Sequence, residues 1–333
     1  MLGWAIALPI IGTYIVTSVV LLNFPWLVHR RKQTKFRCRH ISHRGGAAEN
    51  LENTMTAYHH ALKMGTEMLE LDVRLTADEQ VVVCHDDELS RVTNTDLKIC
   101  DLNFKDLPHL SRTLAVQFQP GVSCDMKNND CHIPLLDTVF EAFPNIPINV
   151  DIKTNSDLLI DKTHELISKH NRKDLTVWGN FSADVTEKCY KKDPEIPIMF
   201  SMKRCAILVF LFYSGLLPFI PIKESFLEIM LPVTMIRRFE VPRTMKILCH
   251  IVDWFLISPI LFNHLEKRGI QTYLWVLNED SEFDFAFNKL KVAGVMTDYP
   301  TRLRDYLCSS NLNPGQPVPT ANGSERSELI KKD

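Results

Sequence analysis

The chain has no surplus of charge of either sign. Its 333 residues carry 38 Lys and Arg against 40 Asp and Glu, a formal net charge of −2. That balance gives no support to nucleic-acid binding, which leaves a basic footprint. Paired cysteine spacing is also missing: the nine cysteines are scattered and supply no disulfide framework, and a cytosolic face would keep them reduced. Cys84, beside His85, reads as a buried strand position rather than a nucleophile. The apolar run near the N-terminus has no positive segment before it and no small-residue cleavage site after it, so it does not read as a secretory signal.

What the sequence does have is a cluster of chemistry in its first third: His43-Arg44-Gly45-Gly46, then Glu70-Leu71-Asp72, then His85-Asp86. Residues two apart on a strand face the same way, so Glu70 and Asp72 project together. Two such carboxylates repel unless a cation sits between them. A histidine on either side of that cation supplies a proton acceptor and a proton donor, which is the equipment for cleaving a phosphate ester. Taken alone, Met68 to Val73 reads equally as an ordinary half-exposed strand, and each histidine as a structural one. The order of the whole stretch favours the site.

That order extends along the chain. After His43-Arg44-Gly45 come Glu52-Asn53-Thr54, Gly65, Glu70-Leu71-Asp72-Val73, Thr76, Asp78 and Val82-Val83-Cys84-His85-Asp86. Further on stand Asn149-Val150-Asp151-Ile152-Lys153, Leu274-Trp275-Val276-Leu277-Asn278 and Gly294-Val295-Met296-Thr297-Asp298-Tyr299-Pro300. In order and spacing the pattern resembles the glycerophosphodiester phosphodiesterase family from about residue 40 to about residue 308. Within that family it is similar to the membrane-bound lysophospholipase D branch.

The resemblance implies an α/β fold, an irregular TIM (β/α)8 barrel of the PLC-like phosphodiesterase type. It also implies roles. Glu70, Asp72 and Asp151 would hold one divalent cation through oxygen, with His85 as a further ligand when substrate is absent. The family usually has Glu at the position of Asp151, so the shorter arm leaves more room there. Calcium, which tolerates irregular oxygen coordination, is favoured over magnesium. Arg44 and Lys153 would bind the phosphate, although each also reads as a partner in a barrel-floor salt bridge. Trp275 would line the pocket. His43 would remove the proton from the lipid's free hydroxyl and His85 would protonate the departing head group, an assignment the sequence leaves reversible.

The chain's periodicities agree with a barrel. Strand-like runs fall at His40 to Arg44, Met68 to Val73, Val81 to His85, Ile148 to Lys153, Leu175 to Gly179, Ile196 to Ser201, Gln271 to Leu277 and Gly294 to Thr297. Helical patterns lie between most of them, among them Asn53 to Met64, Leu135 to Phe143, Ser156 to His170 and Ser281 to Leu290. Alternation of this kind argues for a closed parallel sheet. Thr76 to Gln80 is too short for a crossover helix, so a hairpin-like excursion is expected there. In this fold, chemistry sits where strands end at their carboxyl side, and His43, Glu70, Asp72, His85, Asp151, Lys153 and Trp275 all fall near such ends.

Residues outside the barrel point to lipid. Trp4 to Leu22 carries no charge and is long enough to span a bilayer core. It is followed by Arg30, Arg31, Lys32, Lys35, Arg37 and Arg39. By the positive-inside rule the segment 1–28 is a signal anchor that leaves the barrel, 40–308, facing the cytoplasm; the endoplasmic reticulum or perinuclear membrane is the expected site. A second apolar run, Cys205 to Ile222, cannot cross alone without splitting the barrel, and Pro218 and Pro221 interrupt it. With the amphipathic Met245 to Phe262 it reads as a membrane-dipping helical insertion, about 203–262, between strands six and seven. The tail, 309–333, is rich in Pro, Ser, Asn and Gly and is expected to be disordered. Its Asn322-Gly323-Ser324 sequon would stay unmodified in the cytoplasm.

The expected activity is release of the head group from lysophosphatidylcholine or N-acyl lysophosphatidylethanolamine, yielding lysophosphatidic acid, by way of a cyclic phosphate. The competing expectations are hydrolysis of water-soluble deacylated diesters and a catalytically silent lipid-binding scaffold. The intact His43, Glu70, Asp72, His85 and Lys153 argue against silence.

Overall fold

The computed structural model describes residues 2–127 and 130–310, with side chains from residue 6 onward. The tail from 311, with its sequon and its expected disorder, lies outside the described residues. Among the described residues there are ten strands: β1 (His40–Ser42), β2 (Met68–Leu75), β3 (Val81–Val83), β4 (Thr113–Ala115), β5 (Ser123–Asp125), β6 (Ile148–Ile152), β7 (Thr176–Gly179), β8 (Phe226–Ile229), β9 (Gln271–Leu274) and β10 (Gly294–Thr297). Seven pair in parallel in the order β7-β6-β2-β1-β10-β9-β8. Parallel bridges from Trp178 to Ile198 and from Met199 to Phe226 carry the sheet round from β7 to β8. The short extended stretch at 198–199 is therefore the eighth stave of a near-closed barrel.

The alternation of β2 shows why this sequence makes a barrel wall. Leu69, Leu71 and Val73 face outward and are buried with Val150 and Ile152 of β6 against Tyr58, Ala61 and Phe140 on the surrounding helices. Glu70 and Asp72 face inward. The outer helices begin where the sequence supplies caps: Thr54 accepts from the Ala57 amide and Ser156 from the Leu159 amide. Below the cavity the barrel is plugged by an apolar layer of Ile41, Met68, Val177, Phe226, Tyr273 and Met296. Phe36 closes it from beneath, stacked on Phe226 at 5.6 Å.

Two strand assignments differ from the sequence reading. Val81 to His85 is not a barrel stave, since β3 runs antiparallel to β2, with Val73 opposite Val83; the hairpin-like excursion at that point is as expected. The missing stave is β8, which lies inside the stretch 203–262 read as one insertion. Phe226-Leu227-Glu228-Ile229 is a mostly apolar strand of four residues, too short for periodicity alone to separate strand from helix.

Outside the barrel, Leu2–Asn23 is a single helix whose stretch from Ile6 to Asn23 is long and apolar enough to cross a membrane. Its exposed residues include Ile10, Ile15 and Val19. It docks on the 203–262 region through Tyr14 Oη to the Ser214 carbonyl at 2.5 Å and Ser18 Oγ to the Gly215 carbonyl at 2.7 Å, and on the helix Pro259–Lys267 through His264 Nδ1 to the Leu22 carbonyl at 2.8 Å. The second apolar run forms the 12-residue helix Met202–Tyr213, only about 18 Å long and too short to cross a bilayer core. The helices Arg243–Leu256 and Pro259–Lys267 follow one another with a 43° bend. Of the basic flank, Arg31 and Arg37 pair with Glu266, and Lys35 pairs with Asp174.

Candidate active site

A cavity of about 360 Å³ opens at the carboxyl ends of the barrel strands. Every residue singled out from the sequence lines it: His43, Arg44, Glu70, Asp72, His85, Asp151, Lys153 and Trp275. One side is thus charged. The other is apolar, built by Phe118, Phe181, Met199, Phe200, Met202, Trp275 and Met296. Phe181 and Met202 are 63% and 67% exposed at its rim.

His43 and Arg44 are presented by a tight turn after β1. Arg44 itself is left-handed, with φ 52°, and Gly45 follows with φ 79°; a Cβ on Gly45 would meet the Tyr58 ring at 2.8 Å and the Ala57 Cβ at 2.9 Å. Glycine is required there for the turn to sit on the helix Met55–Lys63. The turn aims the Arg44 amide at Glu70 Oε2, 2.8 Å away. The buried Arg44 guanidinium donates to Glu52 and Gln117, at 3.0 and 2.9 Å, and lies 3.3 Å from Asp72. The salt-bridge reading of Arg44 therefore describes its contacts, and the guanidinium still lines the cavity.

His43 is buried and its Nδ1 lies 2.7 Å from Asp298 Oδ1. Asp298 is held in turn by the Asn278 amide at 3.1 Å. Burial pushes the His43 imidazole below its usual range and Arg44 adds to this, while Asp298 pulls the other way. His85 is more open, with 27% of its side chain accessible and Nδ1 2.6 Å from Asp86. Asp86 also accepts from Arg91, and Arg91 reaches on to Glu52 at 2.6 Å. Burial works against the charge on Asp86, yet the bonds from His85 and Arg91 hold its carboxyl down at about 2. A continuous ionic chain therefore runs from His85 through Asp86, Arg91 and Glu52 to Arg44.

The acidic residues meet on adjacent strands, with Asp72 and Asp151 direct register partners. Lys153 stands between them, 2.9 Å from Asp72 and 2.6 Å from Asp151. Asn53 donates to Asp72 at 2.9 Å and Asn180 to Asp151 at 2.5 Å. Burial first, then the neighbouring Asp72, pushes Glu70 well above the usual carboxylate range. Burial opposes the charge on Asp72 as well, but Lys153 and Arg44 outweigh it and hold that carboxyl low. The three carboxylates come from two neighbouring strands, β2 and β6, and all line the cavity. An inward pair in which one member is forced toward protonation is a donor set that fits a divalent cation, and all three offer the hard oxygen such ions take.

Several residues of the site were not singled out from sequence. Asp298, Glu52 and Asn53 lay within quoted motifs, so a signal for them existed. Phe118 and Gln117 sit between β4 and β5, in a hairpin with no periodic signature. Phe118 lies edge-on to His43 at 5.5 Å and to Trp275 at 6.1 Å. Glu228, on the missed β8, lines the cavity; its Oε2 accepts from Asn149 at 2.7 Å and its Oε1 is buried without a partner. Burial pushes the Glu228 carboxyl up to about 8.

Comparison with known proteins follows the same lines. The model of the glycerophosphoryl diester phosphodiesterase family matches residues 43–302. The chain is 52% identical to the lysophospholipase D GDPD1 of Homo sapiens over 301 residues, 89% of this chain and 95% of that protein. It is 38% identical to the lysophospholipase D GDPD3 of Homo sapiens over 305 residues, 90% of this chain and 95% of that protein. Within the branch the expected nearer match is GDPD3, with GDPD1 next, but identity runs the other way, 52% with GDPD1 against 38% with GDPD3. In three dimensions it is similar to the glycerophosphoryl diester phosphodiesterase domain of a Mycobacterium tuberculosis protein, with a TM-score of 0.63 at 13% identity, covering 81% of this chain and 99% of that one.

Proposed function

The chain belongs to the glycerophosphoryl diester phosphodiesterase family, and from that premise we propose that it is a metal-dependent lysophospholipase D, anchored in a membrane with its barrel in the cytoplasm. The observation that carries this reading is the division of the cavity into a charged and an apolar half. A water-soluble diester has nothing to place against Phe181, Met202 and Phe200, whereas a one-chain lipid does. Exposed Phe210, Tyr213, Phe219, Ile251 and Trp254 continue the apolar surface away from the rim. They reach the N-terminal helix through Tyr14, stacked on Phe219 at 6.2 Å. That continuity supports a membrane seat for the 203–262 region, with the endoplasmic reticulum or perinuclear membrane as its location.

In this mechanism Glu70, Asp72 and Asp151 would hold the cation, with calcium favoured over magnesium. A cation bound there supplies polarisation of a phosphoryl oxygen. Arg44 and Lys153 grip the phosphate. His43, fixed by Asp298, takes the proton from the lipid's free glycerol hydroxyl as that oxygen attacks phosphorus. His85, fixed by Asp86, gives a proton to the head-group oxygen as its bond to phosphorus breaks. The products are choline or an N-acylethanolamine and a cyclic phosphate, which water opens to lysophosphatidic acid. Phe118 and Trp275 shield His43 from bulk water.

The test is head-group release by the full chain in detergent, comparing lysophosphatidylcholine with glycerophosphocholine, with calcium, magnesium or chelator and with a Glu70→Ala control. Metal-dependent cleavage of the lysolipid, lost in the variant, is the expected result. Cleavage of glycerophosphocholine alone would overturn the lipid reading. Equal turnover of a 2-deoxy lysolipid would replace the internal nucleophile with direct attack by water.

A further inference from the structure

Away from the cavity, one group among the described residues has the chemistry of a second metal site. His109, Cys131 and His132 bring one ligand atom each to within 4.8 Å of one another. The two imidazoles stand nearly perpendicular, at 89°, with ring centroids 4.6 Å apart. Three strong ligands of two types meeting from two separate stretches of chain is not a product of sequence proximity alone, because His109 reaches the other two across the β4–β5 excursion.

The backbone beneath them is fixed. Leu110 donates from its amide to the Cys131 carbonyl at 2.7 Å, and both Leu110 and Ile133 are buried. Cys131 itself packs on the apolar cluster that contains Val82, Leu89 and Ile133. Both histidines are exposed, so their rings are free to turn. Zinc bonds of about 2.0–2.3 Å in a tetrahedron want ligand atoms roughly 3.3–3.8 Å apart, a closure of about an ångström that ring rotation supplies. Two imidazoles and a thiolate form a set for a borderline-soft ion, unlike the all-oxygen set of Glu70, Asp72 and Asp151. Binding releases the Cys131 thiol proton to solvent and leaves one position for water.

We propose that His109, Cys131 and His132 bind a zinc ion that staples the base of the β4–β5 hairpin. Its place in the fold gives the site a purpose. The hairpin it would close carries Gln117, bonded to Arg44, and Phe118, set against His43 and Trp275. A tie at the two ends of a loop removes conformational freedom from everything between them. Zinc at the base would therefore steady the wall that covers His43, at a distance from the chemistry.

Cobalt titration of metal-stripped full-length protein tests this without reading turnover, so a failure of the lipase reading leaves the result intact. A thiolate-to-cobalt charge-transfer band is expected in the wild type and in Glu70→Ala, and is lost in Cys131→Ser and reduced in His132→Gln. Hydrogen exchange across residues 113–125 should slow on adding zinc to the wild type and stay unchanged in Cys131→Ser. Cobalt uptake with no thiolate band, or a band that survives Cys131→Ser, overturns the site. A band without any change in exchange overturns the staple.

Discussion

Asp298→Asn perturbs the bond on which the proposed base depends. Asp298 is fully buried; one oxygen takes His43 Nδ1 at 2.7 Å and the other takes the Asn278 amide at 3.1 Å. A carboxylate there keeps the imidazole proton on Nδ1 and leaves Nε2 as acceptor. An asparagine fills the same space but has one oxygen and one NH2. Asn278 presents a donor, so the new oxygen stays with it and the NH2 turns to His43. The imidazole must then carry its proton on Nε2, where it cannot accept one. Loss of a positioned general base costs about 10²–10⁴ in rate, or about 3–5 kcal/mol of barrier. Choline release from lysophosphatidylcholine should show that drop in kcat with KM within about threefold, since ground-state binding is untouched. The pH profile supplies a second check. With His43 as the proposed base, activity falls as pH drops through its pKa, which burial and Arg44 hold below the usual range. Removing the opposing Asp298 charge lowers that pKa further, and the acidic limb moves to lower pH while the plateau falls. A folded Asp298→Asn enzyme with kcat within about fivefold of the parent would refute the assignment of His43 as a base steered by Asp298.

Glu228→Gln should stabilise the protein. An unfolded glutamate ionises near 4.3, whereas burial holds Glu228 protonated up to about 8, so native stability declines as pH rises from about 4 to about 8; at pH 7 in chelator the glutamine should recover on the order of 3–4 kcal/mol, and a denaturant midpoint indifferent to the change would count against this. Arg91→Met breaks the ionic chain at its centre and should cost about 2–3 kcal/mol at pH 7. Asp86 is held down at about 2 against an unfolded value near 3.9, so its share is present above about pH 4 and disappears toward pH 2, and the variant's deficit should shrink as urea midpoints are measured down that range. Leu248→Asp combined with Trp254→Ser, both exposed on the helix Arg243–Leu256, should lower turnover of vesicle-borne lysolipid by about tenfold, roughly 1.4 kcal/mol of lost apolar contact, and leave monomeric substrate in detergent unaffected. Equal losses on both substrates would mean the change had damaged the barrel instead.

How far the sequence could be read followed the strength of its local signals. Glu70 and Asp72 were legible because strand alternation is a strict period, and His43 and His85 because each is followed by a neighbour with a backbone or charge role. β8 was hidden: Phe226 to Ile229 is only four residues long, and its parallel pairing with β9 and with Met199 identifies it. Glu228 went with it. The β4–β5 hairpin was invisible for a different reason. Its strands are three residues each, and Phe118 reaches His43 through tertiary contact that no spacing encodes. Asp298 is the intermediate case, present in a motif but with a role that depends on β10 lying beside β1, where Thr297 pairs with Ser42.

The strand origins of the cavity's two halves also bear on which histidine is the base. Most of its charged residues come from the turn after β1, from β2, from the turn after β3 and from the end of β6, with Glu228 on β8 the exception, while most apolar ones follow β7, the 198–199 stave and β9, joined by Met296 on β10 and Phe118 on the β4–β5 hairpin. A bound phosphate must lie on the β1–β2–β6 side, beside Arg44 and Lys153. The acyl chain then leaves across the barrel toward Phe181 and Met202, where the helix Met202–Tyr213 begins. The glycerol hydroxyl lies between phosphate and chain, and the buried His43, walled by Phe118 and Trp275, faces that interior. The head group lies on the phosphate's other side and must exit to water, and His85 is the histidine with an open face. In the proposed mechanism this gives the buried imidazole the proton of the oxygen that stays and leaves the accessible one to serve the group that leaves.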